Sequence, residues 1–328
     1  MFPLGLLACT APDSADPVTD SPSDSSAAST PTFDMPWDQE GFWTNPGPLA
    51  PMMDREHRPP APFWAVWVAT SSDGQSWSAP QFPIALGLSS LNLLTTDAGV
   101  LITGVVDQRV YAREGLDLPP TNAIYALVSA DLQIWGSQSW TLHDAASTLV
   151  IDPGFWLDAE NVLHAAWYGT TFAGDPAQAP GPHSIRGATW NGREFSVQSA
   201  DLYAKENLAD PTICRMGQEY WMFVTEAAQR VRAARSTDGQ AFLEDPDFRW
   251  DQVTVPWCRA EDDHLVLLGQ TNGGTGAPAQ LQLNADGSTT NLESPYRALP
   301  FAGNDCTSLA VAQYKSTWIL VCAASYLE

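Results

Sequence analysis

The chain has 328 residues, of which 44% are hydrophobic, and this is enough for one large domain with a buried core. Its 38 acidic and 15 basic residues give a net charge of −23. This balance excludes nucleic acid as a partner, because phosphate contacts need Lys and Arg. It also disfavours direct docking on anionic lipid.

The chain begins with a short apolar run, residues 2–8, that ends in Leu6-Leu7-Ala8-Cys9. This segment resembles a bacterial lipobox, where signal peptidase cuts before a cysteine that carries diacylglycerol. No Lys or Arg precedes the run, although export signals normally begin with a basic region. We expect a signal over residues 1–9 with lipidation at Cys9, and export to the bacterial cell envelope or surface; the alternative is an apolar N-terminus that arose by chance.

Residues 10–35 are rich in Ser, Asp, Pro and Ala and cannot bury enough apolar surface to fold. A flexible tether directly after a lipidated cysteine is what a surface lipoprotein needs, so the two signals support each other. No apolar stretch approaches the roughly 18–20 residues of a membrane helix. The only expected membrane contact is therefore the lipid anchor, and the folded domain is expected over residues 36–328.

The folded part is dominated by short Val-, Ile-, Thr- and Trp-rich runs between turn residues, which indicates an all-β fold. One kind of hairpin occurs five times with a similar polar turn. Asp73, Asp131, Asp238 and Asp286 have the chemistry of turn formers. The five hairpins read FWAVWVATSSDGQSW (63–77), AIYALVSADLQIW (123–135), SIRGATWNGREF (184–195), RVRAARSTDGQAF (231–242) and AQLQLNADGSTT (279–290).

A second kind of hairpin, with larger apolar residues, alternates with the first. It also occurs five times, as LNLLTTDAGVLITG (91–104), DPGFWLDAENVLHAAWYG (152–169), DPTICRMGQEYWMFVT (210–225), TVPWCRAEDDHLVLLG (254–269) and CTSLAVAQYKSTWILVCA (306–323). We interpret these as the inner two strands of propeller blades, and the first kind as the outer two.

The order of the two hairpin types predicts how the ring closes. The chain starts with an outer hairpin at 63–77 and ends with an inner one at 306–323. Four complete blades lie between them, and the two half-blades can satisfy their edges only by pairing with each other. The sequence therefore predicts an all-β, five-bladed β-propeller whose fifth blade is shared between N- and C-terminal strands. We expect it to be a monomer.

Four cysteines follow Cys9, an even number that suits disulfides in an exported protein. Cys306 and Cys322 lie symmetrically about the turn at Tyr314, and Cys214 and Cys258 occupy similar places in successive inner strands. These are candidate pairings among three connectivities. The absence of CxxC pairs and of His at finger spacing argues against a zinc site.

Two blades carry a more specific pattern. Ile151-Asp152-Pro153 precedes WLDAENVLHAAWYG, and Ala209-Asp210-Pro211 precedes CRMGQEYWMFV and the turn ARSTDGQAF. These segments resemble the five-bladed glycoside hydrolase superfamily of arabinanases, β-xylosidases and invertases, especially glycoside hydrolase family 43. The resemblance covers about residues 63–328 in pattern and is sharp over about 150–245. It implies a carbohydrate partner.

The same resemblance assigns roles to carboxylates at the starts of inner strands. Asp152 matches the aspartate that tunes the pKa of the acid, and Asp210 stands where the family has its general-acid glutamate. The blade that should supply the general base offers only Ser89, Ser90 and Asn92. An aspartate before proline also commonly accepts local backbone N–H bonds, so a structural role stays open for both aspartates.

Asp305, at the start of the last inner strand, is a candidate replacement for the base, since one blade separates it from Asp210. Trp156 and Trp257 are candidate platforms for stacking on sugar. No metal ligands are specified, although members of the superfamily sometimes hold Ca²⁺ in the central channel.

Three functions remain open from the sequence. The preferred one is a carbohydrate-binding or catalytically silent surface propeller, because the base is missing. The second is an active inverting hydrolase, which needs two facing carboxylates. The third is a protein-binding scaffold, which would expose a broad apolar patch in place of a pocket.

Overall fold

The computed structural model describes the core of the predicted propeller. The described residues are 63–80, 83–106, 120–144, 147, 149–170, 184–205, 208–226, 229–271, 277–294, 296 and 306–326. Cys9, the tether and Asp305 lie outside them. Within this part of the chain, no helix is long and apolar enough to cross a membrane.

The described chain forms 21 β-strands. Strand interiors such as Ile124–Val128 are buried, whereas strand ends and turns contact solvent. In chain order the strands are β1 (Phe63–Ser71), β2 (Ala85–Leu86), β3 (Leu88–Thr95), β4 (Val100–Val106), β5 (Ala123–Ser129), β6 (Gly136–Thr141), β7 (Leu149–Leu157), β8 (Leu163–Thr170), β9 (Ser184–Trp190), β10 (Phe195–Val197), β11 (Tyr203–Ala204), β12 (Leu208–Met216), β13 (Glu219–Glu226), β14 (Arg230–Ser236), β15 (Leu243–Asp251), β16 (Val253–Ala260), β17 (His264–Thr271), β18 (Pro278–Asn284), β19 (Thr289–Leu292), β20 (Cys306–Tyr314) and β21 (Thr317–Tyr326).

Five antiparallel sheets form the blades of a propeller. Blade 1 has the order β3-β4-β5-β6, blade 2 β7-β8-β9-β10 with β11 also on β9, blade 3 β12-β13-β14-β15, and blade 4 β16-β17-β18-β19. Blade 5 has the order β20-β21-β1-β2. The first strands β3, β7, β12, β16 and β20 contact one another in sequence around the ring. This confirms the predicted five-bladed architecture.

The two chain ends close the ring through blade 5. Strand β1 pairs with β21 along its full length, from Phe63 opposite Tyr326 to Ser71 opposite Trp318. Sharing one blade between the chain ends leaves no unpaired inner edge where a gap in the ring would otherwise lie. The predicted split blade is confirmed.

Large side chains pack between neighbouring blades. Trp167 and Phe155 of blade 2 join Leu101 and Ile124 of blade 1 in one buried cluster, and the other blade interfaces hold clusters of the same kind. Burying such side chains contributes about 1.5–3 kcal/mol each. The tryptophan-rich composition therefore serves mainly the contacts between blades.

The repeated aspartates form tight turns at the hairpin ends of the outer strands. The Asp73 carboxylate accepts the amides of Gln75 and Ser76, and the Ser71 hydroxyl accepts the amide of Gly74. Asp131 and Asp238 repeat this arrangement, and Asp286 accepts the amide of Ser288. The positive φ of 72° at Gly74 suits glycine. These aspartates are turn formers, as predicted.

Both candidate disulfides are present. Cys214 and Cys258 join the first strands of blades 3 and 4 with a Cα–Cα distance of 6.1 Å. Cys306 and Cys322 join β20 to β21 within blade 5, with a Cα–Cα distance of 5.6 Å. One bond therefore crosses a blade interface, and the other reinforces the blade that closes the ring.

The two disulfides are expected to differ in their contribution to stability. They span 44 and 16 residues. Chain entropy in the unfolded state then predicts losses of about 4 kcal/mol for the double variant C214A/C258A and about 3 kcal/mol for C306A/C322A. Urea unfolding without reductant measures both. A larger loss for C306A/C322A would contradict the chain-entropy account of this ring.

Candidate functional site

The first strand of each complete blade carries a β-bulge near its start. In each of these four strands two residues face one residue of the partner strand, so the register shifts by one, and the first bulge residue has a left-handed backbone with φ near 50°. Bulges of this kind aim a side chain out of the ladder. The four equivalent residues in blades 1 to 4 are Ser90, Asp152, Asp210 and Val255.

The second bulge position explains the prolines of the pattern. Pro153, Pro211 and Pro256 occupy it in blades 2 to 4, where the ladder needs no N–H donor. Blade 1 has Leu91 instead, and its N–H donates to the Ser308 hydroxyl of blade 5 at 2.9 Å. The bulge therefore explains the Asp-Pro pairs. Its first position needs a positive φ, which aspartate tolerates better than most residues, and its second position needs no N–H donor.

The bulges bring three polar side chains from three blades together. The Asp210 amide donates to Asp152 Oδ2 at 3.3 Å. The two carboxyl groups also hydrogen-bond to each other, and the Ser90 hydroxyl hydrogen-bonds to both. Asp152 is 8% exposed, whereas Ser90 and Asp210 are half-buried. We call this cluster the axial dyad, defined as Asp152 and Asp210 bridged by Ser90.

Burial decides the protonation of the axial dyad. Burial, followed by the neighbouring Asp210 charge, raises the pKa of Asp152 well above its usual range. Burial also raises the pKa of Asp210, although hydrogen bonds from Thr225 and Ser90 oppose it. Burial and then the Asp152 charge raise the pKa of Tyr168 to about 12. Two adjacent carboxyls, one buried and one half-buried, favour a state in which at least one of them keeps its proton.

The second strands supply the walls beside the axial dyad. Thr225 of β13 hydrogen-bonds to Asp210 and accepts the Val255 amide at 3.0 Å. Gln270 occupies the equivalent place on β17, opposite Thr254. The Gln270 side-chain amide is fully buried and has no hydrogen-bond partner among the described residues. Sequence reasoning missed both residues, since only the strand register shows that they face the start of the next blade.

The predicted site residues separate into two groups. Asp152 and Asp210 meet in the axial dyad, and Ser90 stands at the blade 1 position where the resemblance places the base. Trp156 and Trp257 are each 3% exposed, with Trp156 stacked on His164 at 4.9 Å between ring centroids. They serve packing in this structure and line the opposite end of the channel.

The axial dyad offers hydrogen-bond donors and acceptors and no array of metal ligands. Among the described residues, no group of three or more His, Cys, Asp or Glu side chains could hold a metal ion. A protonated carboxyl donates one hydrogen bond and its ionised neighbour accepts several. The axial dyad therefore presents one carboxyl donor beside several carboxylate acceptors.

Comparisons with known proteins establish the fold and nothing finer. No protein-family model matches the chain, and neither does any curated protein. Many solved structures do match. A GH32 β-fructofuranosidase of Bombyx mori, BmSUC1, has a TM-score of 0.51 and 13% identity, over 73% of this chain and 59% of that chain.

A protein of unknown function from Dyadobacter fermentans matches with a TM-score of 0.51 and 14% identity, over 77% of this chain and 82% of that one. The RS223 β-xylosidase matches with a TM-score of 0.48 and 11% identity, over 72% of this chain and 91% of that one. At these identities the likeness shows the shared architecture alone. The chain is a five-bladed β-propeller of the kind found in glycoside hydrolases.

The axial dyad should make stability fall as the pH rises. The unfolded chain releases the Asp152 proton near pH 3.9, whereas burial delays the release in the folded protein. Asp152→Asn removes this penalty. The free energy of unfolding of the variant, relative to the wild type, should therefore rise steadily from pH 4 to pH 7. Urea unfolding across this range measures the difference.

Asp238→Asn is the matched control with the opposite sign. Hydrogen bonds from Gln240 and Ser236 hold the pKa of this exposed turn aspartate below its usual value. Its contribution is present above about pH 3.9 and is lost as the pH falls. The control should be weaker than the wild type at pH 7 and should match it in strong acid. Parallel pH profiles for the two variants would contradict the raised pKa of Asp152.

Proposed function

We propose that this protein is a surface-anchored propeller that binds carbohydrate at the axial dyad and does not hydrolyse it. The observation that carries the proposal is Ser90. It occupies the bulge position equivalent to Asp152 and Asp210, where a hydrolase of the resembled superfamily carries its general base. A serine hydroxyl cannot take a proton from water as a carboxylate does.

The two carboxyls of the axial dyad do not by themselves form a hydrolytic pair. Inverting hydrolysis places its carboxylates roughly 6.5–9.5 Å apart, and the retaining reaction places them about 5–5.5 Å apart. Asp152 and Asp210 are in hydrogen-bond contact, closer than either spacing, so Asp152 can tune the pKa of Asp210 but cannot act as the base or nucleophile opposite it. Asp210 is also one methylene shorter than the glutamate it replaces, which moves its proton away from a leaving oxygen.

The axial dyad suits recognition of vicinal hydroxyls. The protonated carboxyl donates a hydrogen bond to one sugar oxygen, and the ionised carboxyl accepts from the next hydroxyl. Thr225 and Ser90 hold both carboxyls in place, so little order is lost when a sugar binds. A hydrogen bond to a charged group contributes about 1.5–3 kcal/mol, so two such bonds are enough to give a measurable affinity.

Calorimetry with arabinan, xylan and fructan oligosaccharides tests the proposal, together with chromatography of the same mixtures for released sugar. The wild type should bind at least one class and release nothing. The D152N/D210N variant keeps the shape of the site and removes its charge. It should bind at least about tenfold more weakly, which is the loss of about 1.4 kcal/mol.

Asp73→Asn lies in an exposed turn at the hairpin end of blade 5 and should bind as the wild type does. Sugar release that disappears in D152N/D210N would identify an active hydrolase and overturn the proposal. Failure of the wild type to bind any class would overturn it equally.

The surface anchor is part of the same proposal. The Leu6-Leu7-Ala8-Cys9 segment supports lipidation, and the following Ser-, Asp- and Pro-rich tether would hold the propeller clear of the membrane. A net charge of −23 keeps the domain away from anionic headgroups, so the lipid chains alone provide attachment.

Cys9→Ser should release the protein from the membrane fraction of a bacterial host. The wild type should sediment with membranes and partition into detergent, because diacylglycerol adds two buried acyl chains. Fractionation with immunoblotting measures both forms. Equal amounts of the two proteins in the soluble fraction would contradict the anchor.

A further inference from the structure

The central channel has a cavity at the end away from the axial dyad. Its volume is about 180 Å³, several times the roughly 30 Å³ of one water in the liquid. The first strands of all five blades line it, close to their hairpin turns. In β12 its wall reaches Arg215, five positions beyond Asp210 and so about 17 Å further along the strand.

The charge of this cavity contrasts with the rest of the protein. Acidic residues outnumber basic ones by 38 to 15 in the sequence, yet the described residues that line the cavity include two arginines, Arg215 and Arg259, and no carboxylate. Asn92, Thr95 and Thr212 add neutral polar groups to the same wall. A lining of this composition favours a negatively charged occupant.

Arg259 is already satisfied by the protein. Its Nε donates to Glu261 at 2.7 Å, and its Nη1 donates to the Val311 carbonyl at 3.3 Å. Its guanidinium also lies over the Trp318 ring, 5.0 Å from the centroid. The Glu261 carboxylate therefore compensates the Arg259 charge, and Arg259 forms part of the cavity wall with its hydrogen-bonding capacity mostly used.

Arg215 differs from nearly all other described arginines. Arg186, Arg230, Arg232, Arg235, Arg249 and Arg259 each form an ion pair with a carboxylate. Arg215 forms none within the described chain; its one hydrogen bond to a side chain is the 3.4 Å contact of Nη2 with Gln218. Its guanidinium lies 6.0 Å from the centroid of the Tyr220 ring, and its buried Nε–H has no acceptor among the described residues. A buried donor left without a partner costs about 1–3 kcal/mol.

We propose that this cavity is a binding site for a small oxyanion, such as phosphate, sulfate or a sugar carboxylate, with Arg215 as its principal ligand. The planar guanidinium presents parallel N–H donors that match two oxygens of such an anion. The anion supplies the negatively charged partner that Arg215 lacks among the described residues. This site is independent of the axial dyad and of carbohydrate binding there.

Titration calorimetry with inorganic phosphate, sodium sulfate and glucuronate tests the site in the full-length protein. Ionic strength is fixed with sodium chloride, because salt screens the repulsion from the net negative charge. The wild type should show saturable one-site binding to at least one of the three anions. R215Q should bind it at least tenfold more weakly.

Two further variants separate this site from general charge effects. Arg193 is exposed in the turn after β9 and, among the described residues, also has no ion pair, so R193Q should bind within twofold of the wild type. R215K keeps the charge and loses the fork, so its affinity should fall between those of wild type and R215Q. It also tests the site if R215Q does not fold.

Three results would overturn the site: no saturable binding of any of the three anions by the wild type, an R215Q affinity equal to that of the wild type, or an equal loss in R193Q and R215Q. With R215Q unfolded, wild-type affinity in R215K would overturn it as well.

Discussion

Backbone hydrogen bonding between β1 and β21 holds the ring closed, and the geometry of the channel depends on it. The two strands pair over nine residues and place the end of the chain inside blade 5. Closure brings the first strands of blades 5 and 1 together, where the Ser308 hydroxyl accepts the Leu91 amide. That bond satisfies the blade 1 bulge beside Ser90. Loss of the shared blade would therefore release the strand that bridges the axial dyad.

Burial raises the pKa values of the axial dyad, and no cation among the described residues opposes it. Among the groups that shift the pKa of Asp152 and Asp210, burial is the largest, and none is a Lys or Arg. A neighbouring arginine would lower both pKa values and leave two ionised carboxylates. Hydrogen bonding alone stabilises the pair here, so at least one carboxyl stays neutral and can donate. The chemistry of the site follows from this electrostatic isolation.

The blade count and the disulfide pairs could be predicted because repeats and strand symmetry are local properties of the sequence. The turn at Asp73 and the shared blade follow from short segments read in order. The contact between Asp152 and Asp210 could be predicted only as convergence on one channel. Their hydrogen-bond distance depends on two bulges in different blades, and bulge geometry is set by pairing across the sheet.

Trp156 and Trp257 show the limit of sequence reasoning more clearly. Their place near the starts of inner strands favoured a sugar platform. However, the alternation of side chains along a strand does not show whether a given face lines the channel or a blade interface. In the structure both indoles are buried, and the Trp257 N–H donates across the channel to the Leu93 carbonyl at 3.2 Å. Gln270 could not be predicted from the sequence either, because its side-chain amide is seen to lack a partner among the described residues only once β17 is paired with β16.

The two ends of the channel carry opposite and separately uncompensated charges. About 17 Å of strand separates Asp210 from Arg215, beyond the Debye length of about 8 Å at physiological ionic strength. The arginine is therefore too far away to ionise the dyad, and the dyad is too far away to neutralise the arginine. An ion pair between Arg215 and the axial dyad would have compensated both charges within the fold. Their separation leaves a hydrogen-bonded carboxyl pair at one end and, at the other, an arginine without an ion pair among the described residues, and the two proposed sites rest on these two features.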